Sequence, residues 1–352
     1  MCFWCSSTKK LALCLGLLIS TIPVLTDHAF AEVPNHISLR AGYVLDVETG
    51  ELQTDQAIEI VNGKIIGVDP VADSVVPDHV VQIELLHATV LPGMIDAHTH
   101  LTQDWRVEGM NDLPAARRAL VGARNARTTL LAGFTSVRDV GAEGFSDVAL
   151  RDAIDAGDVI GPRMIASGDG VGLPYVAECN SNSEWDFWGW FDDADDYAAQ
   201  VRDNARCGAD GLKIMASGSV VSPGAKFTQE EMTAMVRAAH ELGQKVTAHA
   251  QSSEAIISAV EAGVDSIEHA IFIDDAAISA MKEHGTFLVP TVHLGYWIKN
   301  GDPDDLPFPQ AVMFIADKVI ASQRENIGRA VASGVKVVLG TDFGRQLGYA
   351  AA

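Results

Sequence analysis

His98 and His100 stand two residues apart in the run Met94-Ile95-Asp96-Ala97-His98-Thr99-His100. The apolar residues Val90, Leu91 and Ile95 ahead of them predict a buried strand. On a strand, residues two apart point to one side, with Cα atoms about 6.6 Å apart. Two imidazoles on one side can reach one cation, at roughly 2.0–2.1 Å per zinc–nitrogen bond. Taken alone, such a pair is more often packed core than a metal site. What strengthens it is the company it keeps: Lys213, His249, His269 and Asp342 each lie in or just after an apolar, strand-like run of their own.

Those runs belong to an alternation of strands and helices that begins at Val90. Candidate strands are Val90–His98, Ser136–Val140, Arg163–Ser167, Leu212–Ala216, Lys245–Ala250, Ser266–Ala270, Phe287–Val292 and Val335–Gly340. Helical patterns separate them: Pro114–Leu131, Asp147–Ala156, Asp195–Cys207, Gln229–Leu242, Glu254–Ala262, Asp275–Glu283 and Gln310–Ala332. Several end at a glycine, the usual helix stop. Eight apolar strands alternating with helices predict an α/β fold of the (β/α)8 TIM-barrel type. A doubly wound open sheet is the competing architecture, weakened because no glycine-rich phosphate loop follows the first strand. Barrel active sites lie at the C-terminal ends of the strands, and most of the polar candidates fall there. Six ionisable groups gathered at one mouth are costly to bury without a shared counter-ion.

Ahead of the barrel, Tyr43–Leu45, Ala57–Val61 and Lys64–Val68 read as short strands, the last two joined by Asn62-Gly63, a strong two-residue hairpin signal. Residues 32–88 are therefore expected to form part of a small β-sandwich module, 89–344 the barrel, and 345–352 a tail.

Lys213 decides between kinds of site. With an ordinary pKa near 10.4, a lysine is deprotonated only about once in a few thousand molecules at pH 7, and its ammonium would repel a cation. Carboxylation by CO₂ turns it into an anionic carbamate able to bridge two metals. A snorkelling or ion-paired lysine is the ordinary alternative; the surrounding histidines and aspartate favour the carbamate. Asp342, in Gly340-Thr341-Asp342, is either a general base or a turn carboxylate that caps the next helix.

The set His98-x-His100, Lys213, His249, His269 and Asp342 resembles the amidohydrolase superfamily. Two runs, Leu91-Pro92-Gly93-Met94-Ile95-Asp96-Ala97-His98-Thr99-His100 and Ser266-Ile267-Glu268-His269-Ala270, resemble its imidazolonepropionase-like and prolidase-like branch, the Xaa-Pro dipeptidases among them. The resemblance implies two divalent ions, usually zinc. One would be held by His98, His100 and Asp342, the other by His249 and His269, with N6-carboxylated Lys213 bridging. It further implies hydrolysis of an amide or peptide C–N bond, in a dipeptide or an N-acyl amino acid, by metal-bound hydroxide. Asp342 would carry the proton from water to the leaving amine. The same ligands would serve a lactone, ester, cyclic amide or phosphoester, and a non-catalytic remnant is a further reading.

The chain departs from that branch in two places. Ser167-Gly168-Asp169-Gly170 stands where relatives often carry a Gly-Gly-His-Gly run. Relatives also continue past the eighth strand with a helix and further strands, so this chain is expected to be a truncated form, its β module incomplete and its last strand uncovered, which is an aggregation liability. Weaker candidates are His293 and Tyr296, which come after the seventh strand and are read as substrate contacts or surface-loop residues. Asp139 reads as structural, and His240 and His284 as capping or solvated. Trp185, Trp188 and Trp190 read as a pocket wall, a lid or ordinary loop packing.

Composition sets the outer limits. The net charge of −22 argues against nucleic acid, since no basic patch is present to neutralise phosphates. Lys9-Lys10, the apolar run from Leu11 to Leu25 and Ala29-Phe30-Ala31 have the order of a signal peptide over residues 1–31, which predicts a secreted or periplasmic protein with no membrane span once cleaved. Cys179 and Cys207 would remain, as a disulfide or as two buried thiols. The expected partners are a small molecule or dipeptide; a homo-oligomer is compatible with the sequence.

Overall fold

The computed structural model describes residues 35–344 except 75, 78, 105, 106, 108, 173–192, 221 and 301–309, with the backbone alone at 111, 294, 297, 298, 300 and 310–318. The expected signal peptide, Cys179, the three tryptophans at 185, 188 and 190, and the tail 345–352 lie outside the described residues. Cys207 is disulfide-bonded.

The chain divides into two units, Met1–Pro92 and Gly93–Ala352. The first is a four-stranded sheet of β1 (His36–Leu45), β2 (Leu52–Val61), β3 (Lys64–Pro70) and β4 (Val81–Val90), in the order β3-β2-β1-β4. Asn62 and Gly63 turn β2 into β3 with φ of +50° and +72°. Both turn residues are left-handed, as the tight hairpin demands and as Asn-Gly allows without strain. β4 returns parallel to β1, pairing Val44 with Val90. The described strands make one sheet. Val90, assigned by its apolar run to the first barrel strand, instead ends β4. Leu91-Pro92-Gly93 breaks the run, since Pro92 has no N–H to give to a ladder.

The second unit alternates as the periodicity predicts. In chain order come β5 (Met94–Thr99), α1 (Ala115–Leu131), β6 (Phe134–Asp139), α2 (Ser146–Asp155), β7 (Arg163–Ala166), α3 (Ala194–Arg206), β8 (Gly211–Ile214) and α4 (Gln229–Glu241). After them come β9 (Lys245–Ser252), α5 (Ser253–Ala262), β10 (Ser266–Phe272), α6 (Asp275–His284), β11 (Phe287–Val289), α7 (Val292–Asn300) and α8 (Gln310–Ala332). The strands form two parallel sheets, β5-β6-β7 and β11-β10-β9-β8.

Local chemistry starts the helices where the sequence places them. Asp193, Ser252 and Asp274 accept backbone N–H bonds at the heads of α3, α5 and α6, and Thr228 and Glu231 form a reciprocal capping box on α4. The core lies between sheet and helices: Leu212, Ile214, Val246, Ile267 and Leu288 meet Met232, Met235, Ile256, Val260 and Met281. Each such side chain contributes about 1.5–3 kcal/mol on burial.

The expected eighth strand, Val335–Gly340, is not a regular strand. Val337 makes a single bridge to Leu288, Val338 N donates to Leu288 O at 2.9 Å, and Ala97 N donates to Leu339 O at 2.9 Å. A further bridge joins Val171 to Ile214. These links run between edges of the two sheets, and no closed eight-stranded sheet is assigned among the described residues. Gly340 shows why this passage is irregular: a Cβ there would lie 2.3 Å from Val289 Cγ1 and 2.8 Å from His98 Cβ. The backbone runs hard against the residue that sequence had marked as a ligand. Gly340→Ala is therefore expected to destabilise the fold by about 1–3 kcal/mol through overpacking, whereas Gly224→Ala, with nothing within 4 Å of its Cβ position, changes little. Denaturant melts of the two variants check this.

Candidate functional site

β5 carries His98 and His100 to its C-terminal end, and the passage after Gly340 brings Asp342 to meet them. Asp96 makes the connection. Its Oδ1 accepts from His98 N at 3.1 Å and Thr341 N at 3.0 Å, and its Oδ2 from Thr341 Oγ1 at 2.5 Å. Asp342 N in turn donates to His98 O at 2.7 Å. Asp342 Oδ1 then lies 3.3 Å from His98 Nε2 and 3.4 Å from His100 Nε2. Burial alone would raise the Asp342 pKa, but His98, His100 and His269 around it hold it well below the usual carboxylate range.

The remaining candidates come from three adjacent strands. His249 on β9 and His269 on β10 have ring centroids 4.5 Å apart, and His269 is 5.0 Å from His98. His269 Nδ1 lies 3.8 Å from Asp342 Oδ2 and 2.7 Å from Thr291 Oγ1. His249 Nε2 lies 3.1 Å from Gly218 O, and His100 Nδ1 lies 2.8 Å from Gly141 O. Burial, together with the charge of Lys213, pushes the His249 pKa down to about 4, so this imidazole is neutral at pH 7. Lys213 on β8 is 3% exposed. Burial lowers its pKa, against the upward pull of Glu268 and Asp342, which enlarges the share of free amine. The structure thus brings together all six residues: His98, His100, Lys213, His249, His269 and Asp342.

Two observations bear on whether a cation fits here. His98 is 1% exposed, yet its Nε2 has no hydrogen-bond partner. Nitrogen and oxygen atoms of His98, His100 and Asp342 all lie within 4.8 Å of one another. A buried ring nitrogen beside a carboxylate and a second imidazole is what a cation would satisfy, and a donor set of two imidazoles and a carboxylate suits zinc. The backbone is also held in unusual conformations. His269, Ala270, Thr291 and Asp342 have φ of +71°, +49°, +47° and +65°. Side-chain-bearing residues rarely adopt this region, at a cost on the order of 1–3 kcal/mol each, and such residues cluster at functional sites.

The pattern of the amidohydrolase family matches residues 89–351. The chain belongs to that family. A curated amidohydrolase relative, the ochratoxinase of Aspergillus niger, is 30% identical over 285 residues, covering 72% of this chain and 58% of the ochratoxinase. The chain thus spans little more than half the length of that relative. Among solved structures, a Xaa-Pro dipeptidase with methionine bound in its active site superposes with a TM-score of 0.75 at 32% identity, over 87% of this chain and 79% of that one. A prolidase complexed with N-methylphosphonate-L-proline gives a TM-score of 0.75 at 29% identity, over 88% and 79%.

Not every candidate of this amidohydrolase sits where sequence placed it. His293 and Tyr296 are on the helix α7 and not in a loop, both exposed, their rings stacked at 6.3 Å. His293 meets Phe343, the neighbour of Asp342, edge-on at 5.2 Å. Asp139 is fully buried and accepts from Leu101 N at 2.6 Å, in keeping with a structural role; burial and the charge of Asp147 push its pKa up. His240 pairs with Asp265 at the end of α4, and His284 Nδ1 meets Ala280 O within α6.

Sequence reasoning passed over Asp96, Arg138 and Glu268. Asp96 and Glu268 are both 0% exposed. Each was readable as a lone carboxylate inside an apolar strand, where charge is seldom buried unpaired. Asp96→Ala is expected to cost on the order of 3 kcal/mol, because it strands two buried N–H groups. It should also release Asp342 from its place beside His98 and His100, and so weaken any metal binding by these three residues. Denaturation and metal analysis of the same preparation check both effects.

Proposed function

We propose that the chain hydrolyses an amide C–N bond, in a dipeptide or an N-acyl amino acid, with two divalent cations, most suitably zinc. The observation that carries this reading is the unpartnered Nε2 of buried His98 facing Asp342 and His100. In this reading His98, His100 and Asp342 would hold one cation and His249 and His269 the other, and carboxylated Lys213 would supply a further anionic ligand. Bound divalent cations supply a water acidic enough to act near neutral pH and polarise a carbonyl.

The chain's own residues do the rest. Lys213, its pKa lowered by burial, would add its amine lone pair to CO₂ and lose a proton, leaving an anion where an ammonium would repel metal. The Asp342 carboxylate, held ionised by three imidazoles, takes the proton of the attacking water and delivers it to the leaving amine nitrogen. The enclosed floor of His98, Asp96 and Lys213 keeps bulk water from these charges. The catalytic unit in this reading starts at Gly93, and the four-stranded sheet before it is a separate β module. A (β/α)8 barrel is the architecture in keeping with the parallel strands, the bridges between sheet edges and the likeness to the prolidase structure.

Purified protein should hold about two divalent ions per chain. His98→Ala should lower metal affinity by more than the ~10–100-fold typical of removing an outer hydrogen-bond partner; equal metal content in variant and wild type would overturn the ligand assignment. Turnover is measured on a panel of Xaa-Pro dipeptides, N-acyl amino acids, a lactone and a phosphoester. Cleavage confined to the lactone or phosphoester would overturn the amide reading.

Lys213→Ala should be inactive and regain part of its activity with short-chain carboxylic acids that stand in for the carbamate. Full turnover without additive would remove the carbamate from the mechanism.

A further inference from the structure

We propose that Glu268 decides which nitrogen of His98 is free for the cation, and that Arg138 acts through Glu268. This rests on the reading of His98 as a metal ligand. A neutral imidazole carries one proton on two nitrogens, and only the bare nitrogen can hold a metal. His98 Nδ1 lies 2.5 Å from Glu268 Oε2. An ionised carboxylate only accepts, so Nδ1 must donate; the proton is held there and Nε2 keeps its lone pair. Nε2 is the atom that lies 3.3 Å from Asp342 and has no hydrogen-bond partner.

The carboxylate that imposes this is itself immobilised. Glu268 Oε1 accepts from Arg138 Nη2 at 2.9 Å, from Ser266 Oγ at 2.8 Å and from Thr247 Oγ1. Arg138 is braced in turn by Ala97 O at 2.7 Å and Ser266 Oγ at 3.1 Å. One oxygen is thus taken up by the brace, and the other is left for His98. An ion pair kept only for packing would need Arg138 and Glu268 and not the second oxygen on a histidine ring.

The other three histidines are held differently. His100 and His249 meet backbone carbonyls, and His269 a threonine hydroxyl that can give or take a hydrogen bond. A carboxylate lies within hydrogen-bond distance of Nδ1 at His98, whereas the nearest to His269 Nδ1 is Asp342 at 3.8 Å. An anionic acceptor both fixes the ring and raises the basicity of the free nitrogen. Glu268 and Arg138 are therefore positioning residues.

The decisive measurement is made on metal-free protein with ¹⁵N-labelled histidine, the His98 signals being assigned by their loss in His98→Ala. Long-range ¹⁵N–¹H spectra should show His98 protonated at Nδ1 and bare at Nε2. Glu268→Gln should mix or reverse that pattern and lower zinc affinity by about 10–100-fold in chelator competition. Arg138→Gln should weaken zinc less, and the double variant should bind as Glu268→Gln does, since Arg138 has no separate route to the ring. Protonation of wild-type His98 at Nε2, an unchanged tautomer and affinity in Glu268→Gln, or additive losses in the double variant would each overturn the proposal. Should Glu268→Gln fail to fold, the wild-type tautomer decides alone. A protein that loses zinc with His98→Ala yet carries its proton on Nε2 refutes this inference and leaves the ligand assignment standing; zinc binding untouched by His98→Ala fails the ligand assignment itself.

Discussion

One buried carboxylate joins two stretches of chain that sequence keeps 245 residues apart. Asp96 binds the backbone on either side of the site, His98 N and Thr341 N, and adds the Thr341 hydroxyl. Without it, the histidine pair on β5 and the aspartate on the passage after Gly340 would have no fixed relation. The cost in desolvation is visible, since burial pushes the Asp96 pKa up against its hydrogen bonds. The close approach of Gly340 to His98 serves the same end from the other side, because any side chain there would hold the two segments apart.

Around that junction the structure concentrates charge in a dry place and balances it locally. Asp342 is surrounded by imidazoles, and Glu268 by Arg138 and His98. Each of these charges is offset by buried neighbours of opposite sign. Such balance is fragile when one partner is removed, because the other is then left buried and unpaired. Left-handed backbone at His269, Ala270, Thr291 and Asp342 adds strain to the same few residues. The apolar core between β8–β11 and α4–α6 therefore supplies the stability that a locally unfavourable site draws on.

What was legible in the sequence came from short-range pattern. His98 and His100 were readable because a strand has a period of two, and the Asn62-Gly63 turn because only one backbone geometry suits that pair. The alternation from β6 to β11 was readable because each helix between those strands is closed by a glycine. Val335–Gly340 was read as a strand from its apolar residues alone, yet pattern cannot reveal that Gly340 must pass within contact of His98. The strand β4 was missed because its apolar alternation runs on into Leu91 and Pro92. Val292 was read as the end of the seventh strand, yet β11 stops at Val289 and Val292 opens a helix, a start that valine and Gly295, both poor helix formers, do not signal; α8, its neighbour in chain order, was read correctly. The Arg138–Glu268 brace joins residues 130 apart, and no local signal pairs them.

The left-handed backbone at Asp342 has an evolutionary side. Aspartate, asparagine and glycine are the residues that tolerate φ near +65°. Aspartate and asparagine codons differ at a single base. A chain can therefore exchange the carboxylate for an amide here without disturbing the turn that carries it, keeping its fold while losing the ionised group proposed to move the proton. On the proposed role of Asp342, catalytic and merely binding forms of such a scaffold would lie one nucleotide apart.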